Sequence, residues 1–333
     1  MIVDIHAHAL DEAFLNELTQ RPCGGMRAEA DGRGGFRVAR PNSPWTTLDP
    51  LLHRQGVRLE SLAHRKIDRQ FIAPPPGFLG WPNGSADAEL AAALNRHGFA
   101  IAAQGGGKLI PMATIAFGEP AKAAADFERA IGDYGFKAAI IPTTAGGRPL
   151  DGPEFGSVFS LAEKHDTLLL MHPTVPSVSD RFGVYGIQVM IGLPFETTLA
   201  VTRMIFSGFF DRYPNLKLLL AHGGGNLVYM RGRLDAAYNA SGWEANPYYK
   251  QHTTRAPSAY LRKLFYDTCV VNPESLTFLI SAMGVDRVLF GTDYPFEIGD
   301  PDGRQALIAL DKSGNEERAA ILGGNAGDVV NIA

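Results

Sequence analysis

The sequence predicts an α/β protein, a (β/α)8 TIM barrel with small insertions at its C-terminal mouth. Three observations carry this prediction. Short apolar runs alternate along the chain with longer segments of helical period. The runs number eight: Ile2–Ile5, Lys66–Ile72, Lys108–Ala113, Ala138–Ile141, Thr167–Met171, Leu216–Ala221, Leu264–Asp267 and Val288–Gly291. Histidine or aspartate follows several of them directly, and a barrel gathers all its strand ends at one mouth.

Taken in order, the first run leads into His6-Ala7-His8, two imidazoles spaced to face the same side of a strand. Residues 21–58 are rich in Gly, Pro and Arg with little periodicity and read as an insertion above the mouth. After the second strand, Ser85 caps a helix over Ala86–Gln104, with Asp87 and Glu89 in its first turn. Gly105-Gly106-Gly107-Lys108 lacks P-loop spacing and precedes a strand, so it reads as a turn. Helices are expected over Pro120–Tyr134 and Glu154–His165, on either side of the fourth strand. Leu168-Leu169-Leu170-Met171 and Leu218-Leu219-Leu220-Ala221 do not alternate, as parallel strands covered on both faces require. Helices over Glu196–Phe209, Asn226–Ala240 and Pro273–Met283 separate the last four strands. Residues 241–258, polar and aromatic, read as a second insertion over the mouth, and the whole chain, 1–333, as a single domain.

Composition narrows the function. With 333 residues, 45% of them hydrophobic and 20% charged, the chain can bury a large core. Its 31 basic and 35 acidic side chains leave a net charge of -4, which argues against a nucleic-acid partner. No uninterrupted apolar stretch approaches about 18 residues, so no membrane span is expected. Met1-Ile2-Val3-Asp4 has no basic-then-apolar leader pattern, which predicts a cytoplasmic protein. Cys23 and Cys269 are too few and too far apart for a disulfide framework or a CxxC site and read as inert thiols.

The chemistry sits at the strand ends. His6 and His8 end the first strand, His172 follows the fifth, His222 the sixth and Asp293 the eighth. Imidazoles and a carboxylate converging at one mouth suit a single divalent ion with a position left open, zinc above all, with manganese, cobalt and iron sharing overlapping ligand preferences. His53, His64, His97, His165 and His252 fall in loops or helices and receive no role. His222-Gly223-Gly224-Gly225 is not a lipase oxyanion motif, because no GxSxG accompanies it; the glycines instead let backbone approach the pocket.

Together, Asp4-Ile5-His6-Ala7-His8, Met171-His172-Pro173, Ala221-His222-Gly223-Gly224-Gly225 and Gly291-Thr292-Asp293-Tyr294-Pro295-Phe296 resemble the amidohydrolase superfamily. The match is closer to its branch of α-amino-β-carboxymuconate-ε-semialdehyde decarboxylase and related nonoxidative decarboxylases. Leu193-Pro194-Phe195-Glu196-Thr197, Gly232-Arg233-Leu234-Asp235 and Gly324-Asn325-Ala326 extend it. The resemblance implies metal ligation by His6, His8, His172 and Asp293, with His222 beside the centre as acid/base and Asp293 sharing in catalysis. It implies that Arg233 reaches a neighbouring subunit's pocket in a homodimer to grip a substrate carboxylate, and that Phe296 lines the pocket. A second substrate arginine belongs in the first insertion, at Arg37 or Arg40. No lysine stands at a strand end where a bridging carbamate would form, which favours one metal over two.

The implied reaction is nonoxidative decarboxylation of a small aromatic or muconate-type acid. The alternative is a hydrolase or hydratase acting on a lactone, ester, amide or unsaturated acid, because the same metal centre and base also activate water. A catalytically silent scaffold is the third reading, against which the complete donor set speaks.

Overall fold

The computed structural model describes residues 1–41, 43–79, 84–174, 182–242 and 246–332. All eight expected strands are present: β1 (Val3–His8), β2 (Arg69–Ala73), β3 (Leu109–Pro111 with Ala113–Thr114), β4 (Ala138–Pro142), β5 (Leu168–His172), β6 (Leu218–Leu220), β7 (Phe265–Asp267) and β8 (Val288–Leu289). Every pairing among them is parallel and joins neighbours in sequence. The ring closes where Ile5 N–H donates to Phe290 O at 2.8 Å and His8 N–H to Tyr294 O at 2.7 Å. Among the described residues, the main helices around the outside are α1 (Gln55–Arg65), α2 (Gly84–Gln104), α3 (Pro120–Gly132), α4 (Gly156–Lys164), α5 (Leu193–Phe206), α6 (Leu227–Asn239), α7 (Pro273–Met283) and α8 (Arg304–Leu310).

Strand alternation divides the core in two. Ala138, Ile140, Leu168, Leu170, Leu219, Phe265 and Leu289 fill the barrel axis, while Ala139, Ile141, Leu169, Met171, Leu218 and Leu220 pack outward under the helices. Both sets are apolar, which is why these strands carry no polar alternation. A last helix, Asn325–Val330, plugs the N-terminal end of the barrel with Ala326, Val329 and Val330. Asn325 anchors it by donating to Val285 O at 2.7 Å and Val288 O at 2.8 Å.

The structure departs from the sequence expectation in four places, and one further expectation falls outside the described residues. Lys66 takes a left-handed conformation (φ 58°) as the C-cap of α1, so β2 starts at Arg69. Residues 21–58 hold an antiparallel sheet of Arg27–Ala30, Phe36–Ala39 and Thr46–Thr47, whose strands are too short to leave a readable period. Helix Glu12–Gln20, capped by Asp11 and burying Phe14, Leu15 and Leu18, is an addition to the expected helices. The Ser85 cap rests on a side chain outside the described set, as do residues 243–245. The described part of 241–258 lies at the opposite end of the barrel from the mouth. Thr254 and Tyr260 bond Asp211, just past α5, and no described residue of that stretch lines the cavity. A helix-to-strand connection returns the chain to the strands' N-terminal ends, so an insertion there cannot roof the site.

Residues Gln188–Phe206, a wide turn continued by α5, are long and apolar enough to cross a membrane by length and composition, although no uninterrupted apolar run announces it. One side buries Val201, Met204 and Ile205 against the barrel, so the segment belongs to the helical ring. Its other side leaves Met190, Ile191, Phe195 and Leu199 exposed.

Candidate metal centre

A register shift in β1 aims the two histidines. Val3 and Ile5 point into the barrel, whereas Asp4 points outward, accepting from Gln70 Nε2 at 2.8 Å and Thr292 Oγ1 at 2.6 Å. Strict alternation would carry His6 and His8 to the same outward side as Asp4. The pairing with β2 slips between Asp4 and Ala7, and both imidazoles turn inward. Below them the buried Arg58 bonds His8 O at 2.5 Å and Gln70 Oε1 at 2.8 Å, holding the strand end rigid.

Hydrogen bonds then set each imidazole's tautomer. His6 Nδ1 donates to Asp267 Oδ2 at 2.6 Å, His8 Nδ1 to Pro74 O at 3.1 Å and His172 Nδ1 to Pro173 O at 2.8 Å. These acceptors cannot donate, so each ring in its neutral form keeps its proton on Nδ1 and turns its Nε2 lone pair inward. His6 Nε2 and His8 Nε2 stand 3.2 Å apart, and Asp293 Oδ1 lies 3.4 Å and 3.0 Å from them. The buried His172 Nε2 has no hydrogen-bond partner among the described residues. Burial holds His8 below the ordinary imidazole range, and burial with the adjacent imidazoles holds His172 well below it. For Asp293, burial favours the neutral acid, but the surrounding histidines outweigh it and keep the carboxyl well below the usual range.

Facing lone pairs and a carboxylate, all buried, repel one another unless a cation lies between them. The ligand atoms of His6, His8, His172 and Asp293 lie within 4.8 Å of one another, a spacing that a divalent ion of tetrahedral or five-coordinate habit can span. These four residues form one divalent-cation site.

His222 stands beside it, with Nε2 3.5 Å from Asp293 Oδ2 and its ring 4.9 Å from that of His172. Both His222 (φ 55°) and Asp293 (φ 59°) hold left-handed backbone conformations that cost energy for any residue with a Cβ. Gly223 follows at φ 59°, and a Cβ there would collide with Val270 Cγ1. Gly223→Ala is therefore expected to lose about 2–4 kcal/mol of stability, read as a lower urea midpoint at unchanged slope.

A cavity of about 1550 Å³ opens over the centre, its walls largely apolar. Phe296 lines it, with its ring 5.3 Å from that of His8. The first insertion forms one side and separates the two arginines: Arg40 lines the cavity and donates through Nε to Gly77 O at 2.9 Å. Burial draws Arg40 down to about 10, which leaves it cationic at neutral pH. Arg37 is exposed outside the cavity, paired with Glu29 and 5.5 Å above the Trp45 ring. Arg233 is exposed on α6, one turn beyond Tyr229 of the cavity mouth, and does not line this chain's own cavity. Both cysteines are free; burial pushes Cys23 up to about 11 and Cys269 well above the ordinary thiol range.

Asp267, the partner of His6 Nδ1, is the site residue that sequence reasoning missed. It ends an expected strand, the same signal that singles out His172, His222 and Asp293.

A sequence model of the family described as Amidohydrolase matches residues 3–332. The chain is 30% identical to 2-amino-3-carboxymuconate-6-semialdehyde decarboxylase of Dictyostelium discoideum, over 97% of this chain and 90% of that protein. Among solved structures, Metarhizium anisopliae IDCase superimposes with a TM-score of 0.85 at 22% identity, covering 99% of this chain and 97% of the other. A dihydroxybenzoic acid decarboxylase from Polaromonas, solved with bound manganese and 2-nitroresorcinol, gives 0.78 at 20% identity, covering 100% and 98%.

Proposed function

The chain belongs to the amidohydrolase family, and from that premise we propose that it is a metal-dependent nonoxidative decarboxylase of a small aromatic or muconate-type carboxylic acid. One observation carries the reading: three bare Nε2 atoms and the Asp293 carboxylate converge beneath an apolar cavity, with His222 Nε2 3.5 Å from Asp293 Oδ2. The 2-amino-3-carboxymuconate-6-semialdehyde decarboxylase and dihydroxybenzoic acid decarboxylase similarities support it. Zinc is the proposed ion on the three-nitrogen, one-oxygen donor set; manganese takes the same donors.

A divalent ion at this centre supplies Lewis-acid charge that polarises and orients a substrate oxygen. His222 delivers a proton to the ring or diene carbon that bears the carboxylate, which interrupts conjugation. The bond to the carboxylate then breaks, its electron pair restores the conjugated system, and CO2 departs; His222 regains its proton from solvent. Asp293 orients His222. Arg40, with its Nε edge held by Gly77 O, places a cation on the cavity wall toward a substrate carboxylate, and Phe296 adds an apolar wall beside the reacting face. The test is CO2 release from a panel of aromatic and muconate-type acids in oxygen-18 water. Label in a product carboxyl identifies a hydrolase instead, and no CO2 across the panel rejects the reading.

Arg40→Ala is expected to raise KM roughly 10- to 100-fold, the loss of one charge-assisted contact, while Arg37→Ala stays within about twofold. Equal effects of the two would remove Arg40 from the substrate site.

A homodimer belongs to the same proposal. The cavity exceeds the roughly 300–1,000 Å³ of ordinary small-molecule pockets, and the exposed Met190, Ile191, Phe195 and Leu199 offer an apolar face for a second copy. Arg233 would then serve the neighbouring site. Arg233→Ala and His222→Ala, each inactive alone, should recover about a quarter of parental activity when co-expressed, because half the dimers are mixed and each holds one intact site. Absence of complementation assigns Arg233 to its own chain or to none.

A further inference from the structure

Asp267 lies directly behind the centre, and the proposed reaction gives it no part. Its side chain is fully buried at the end of β7. Oδ2 accepts from His6 Nδ1 at 2.6 Å and from the His222 backbone N–H at 3.0 Å. Oδ1 accepts from the backbone N–H groups of Gly223 at 2.8 Å and Cys269 at 3.1 Å. One carboxylate therefore touches both a metal ligand and the turn that carries the proton donor.

We infer that Asp267 is a positioning residue that couples the two halves of the centre: it fixes the His6 tautomer that turns Nε2 toward the metal, and it holds the turn that places the His222 imidazole beside Asp293. The first half follows from chemistry, since an ionised carboxylate only accepts, so the His6 proton stays on Nδ1. The second follows from backbone geometry. His222 at φ 55° and Gly223 at φ 59° occupy the left-handed region, where a non-glycine residue persists only if its surroundings over-determine it. Two of the four hydrogen bonds on Asp267 restrain those two residues. All four partners are donors, so the buried charge is fully satisfied, and no neutral side chain of that size offers four acceptor positions.

The inference rests on the metal-centre reading, and Asp267→Asn tests it. The amide matches the carboxylate in shape but replaces one acceptor by an NH2 group, which meets N–H donors whichever way it is turned. Affinity for Zn2+ and for Mn2+, measured by chelator competition, is expected to fall roughly 10- to 100-fold. At saturating metal, kcat should remain about tenfold or more below the parent, with KM within about threefold, because a misaimed imidazole persists after the site is filled. Asp267→Glu, which keeps the carboxylate, should regain part of both losses. The Zn2+-loaded parent should show a strongly hydrogen-bonded proton on His6 Nδ1 in its imidazole NMR spectrum, and Asp267→Asn should lack it.

Lower thermal stability of Asp267→Asn with unchanged metal affinity and kcat would reduce Asp267 to a packing role and overturn the coupling. A parent His6 with Nδ1 unprotonated overturns it without any variant. A parent that binds neither ion rejects the metal reading itself, whereas equal affinities in parent and variant reject the coupling alone.

Discussion

Replacing His222 with asparagine should lower kcat for CO2 release by a factor of roughly 10²–10⁴ while leaving one divalent ion bound per chain. Asparagine keeps the size and some hydrogen-bonding capacity of imidazole but cannot carry a proton to carbon. The four donors of the cation site are untouched, since the contact between His222 and the site is Nε2 to Asp293 Oδ2 at 3.5 Å. KM should change little, because His222 is one residue of a wide cavity lined mainly by apolar groups and Arg40, and asparagine keeps its place in that wall. Elemental analysis and initial rates on one preparation distinguish the outcomes. A drop of less than about tenfold would mean that another group protonates the substrate; loss of the ion would make His222 a ligand.

His8→Ala should abolish activity and also remove the stabilisation that metal gives the fold. In the parent, an ion at about a thousand times its Kd stabilises the folded state by about 4 kcal/mol. In a chain of this size that corresponds to a rise in Tm on the order of 5–10 °C between chelated and loaded protein. Removing His8 deletes one of three inward-facing Nε2 atoms, so the loaded and chelated variant should melt within about a degree or two of each other at the same metal concentration. The chelated variant need not be less stable than the chelated parent. Without a cation, the parent crowds His8 Nε2 against His6 Nε2 at 3.2 Å and Asp293 Oδ1 at 3.0 Å, a repulsion that the alanine relieves. A full metal-dependent shift in His8→Ala would show that the ion is held elsewhere.

The features legible in the chain alone share a physical property. Apolar runs, helical periods and the residue that ends a strand are local features, and parallel barrel topology converts strand ends into neighbours. Hence His6, His8, His172, His222 and Asp293 can be gathered from sequence position alone. Asp267 satisfies the same rule but lies within an expected strand rather than just beyond one, where a buried aspartate does not stand out as a donor. The placement of residues 241–258 is also open to the topology rule, since a helix-to-strand connection belongs at the far end of the barrel; polar, aromatic composition points the wrong way.

Side-chain direction is not legible in this way. Arg37 and Arg40 lie three residues apart in one hairpin, and which of them faces the cavity depends on the pairing of Phe36–Ala39 with Arg27–Ala30, a contact between strands too short to show a period. The inward turn of His6 and His8 depends on a slip against β2, more than sixty residues away in sequence.

By itself, then, the sequence determined the barrel and the identity of the donors gathered at its mouth, because hydrophobic period and strand-end position are short-range properties. Only the tertiary structure decided where those donors point, which imidazole nitrogen carries the proton and which arginine meets the cavity. Each of these depends on a hydrogen bond or strand register between residues distant in the chain, and a register that shifts by one residue reverses the face of every side chain beyond it.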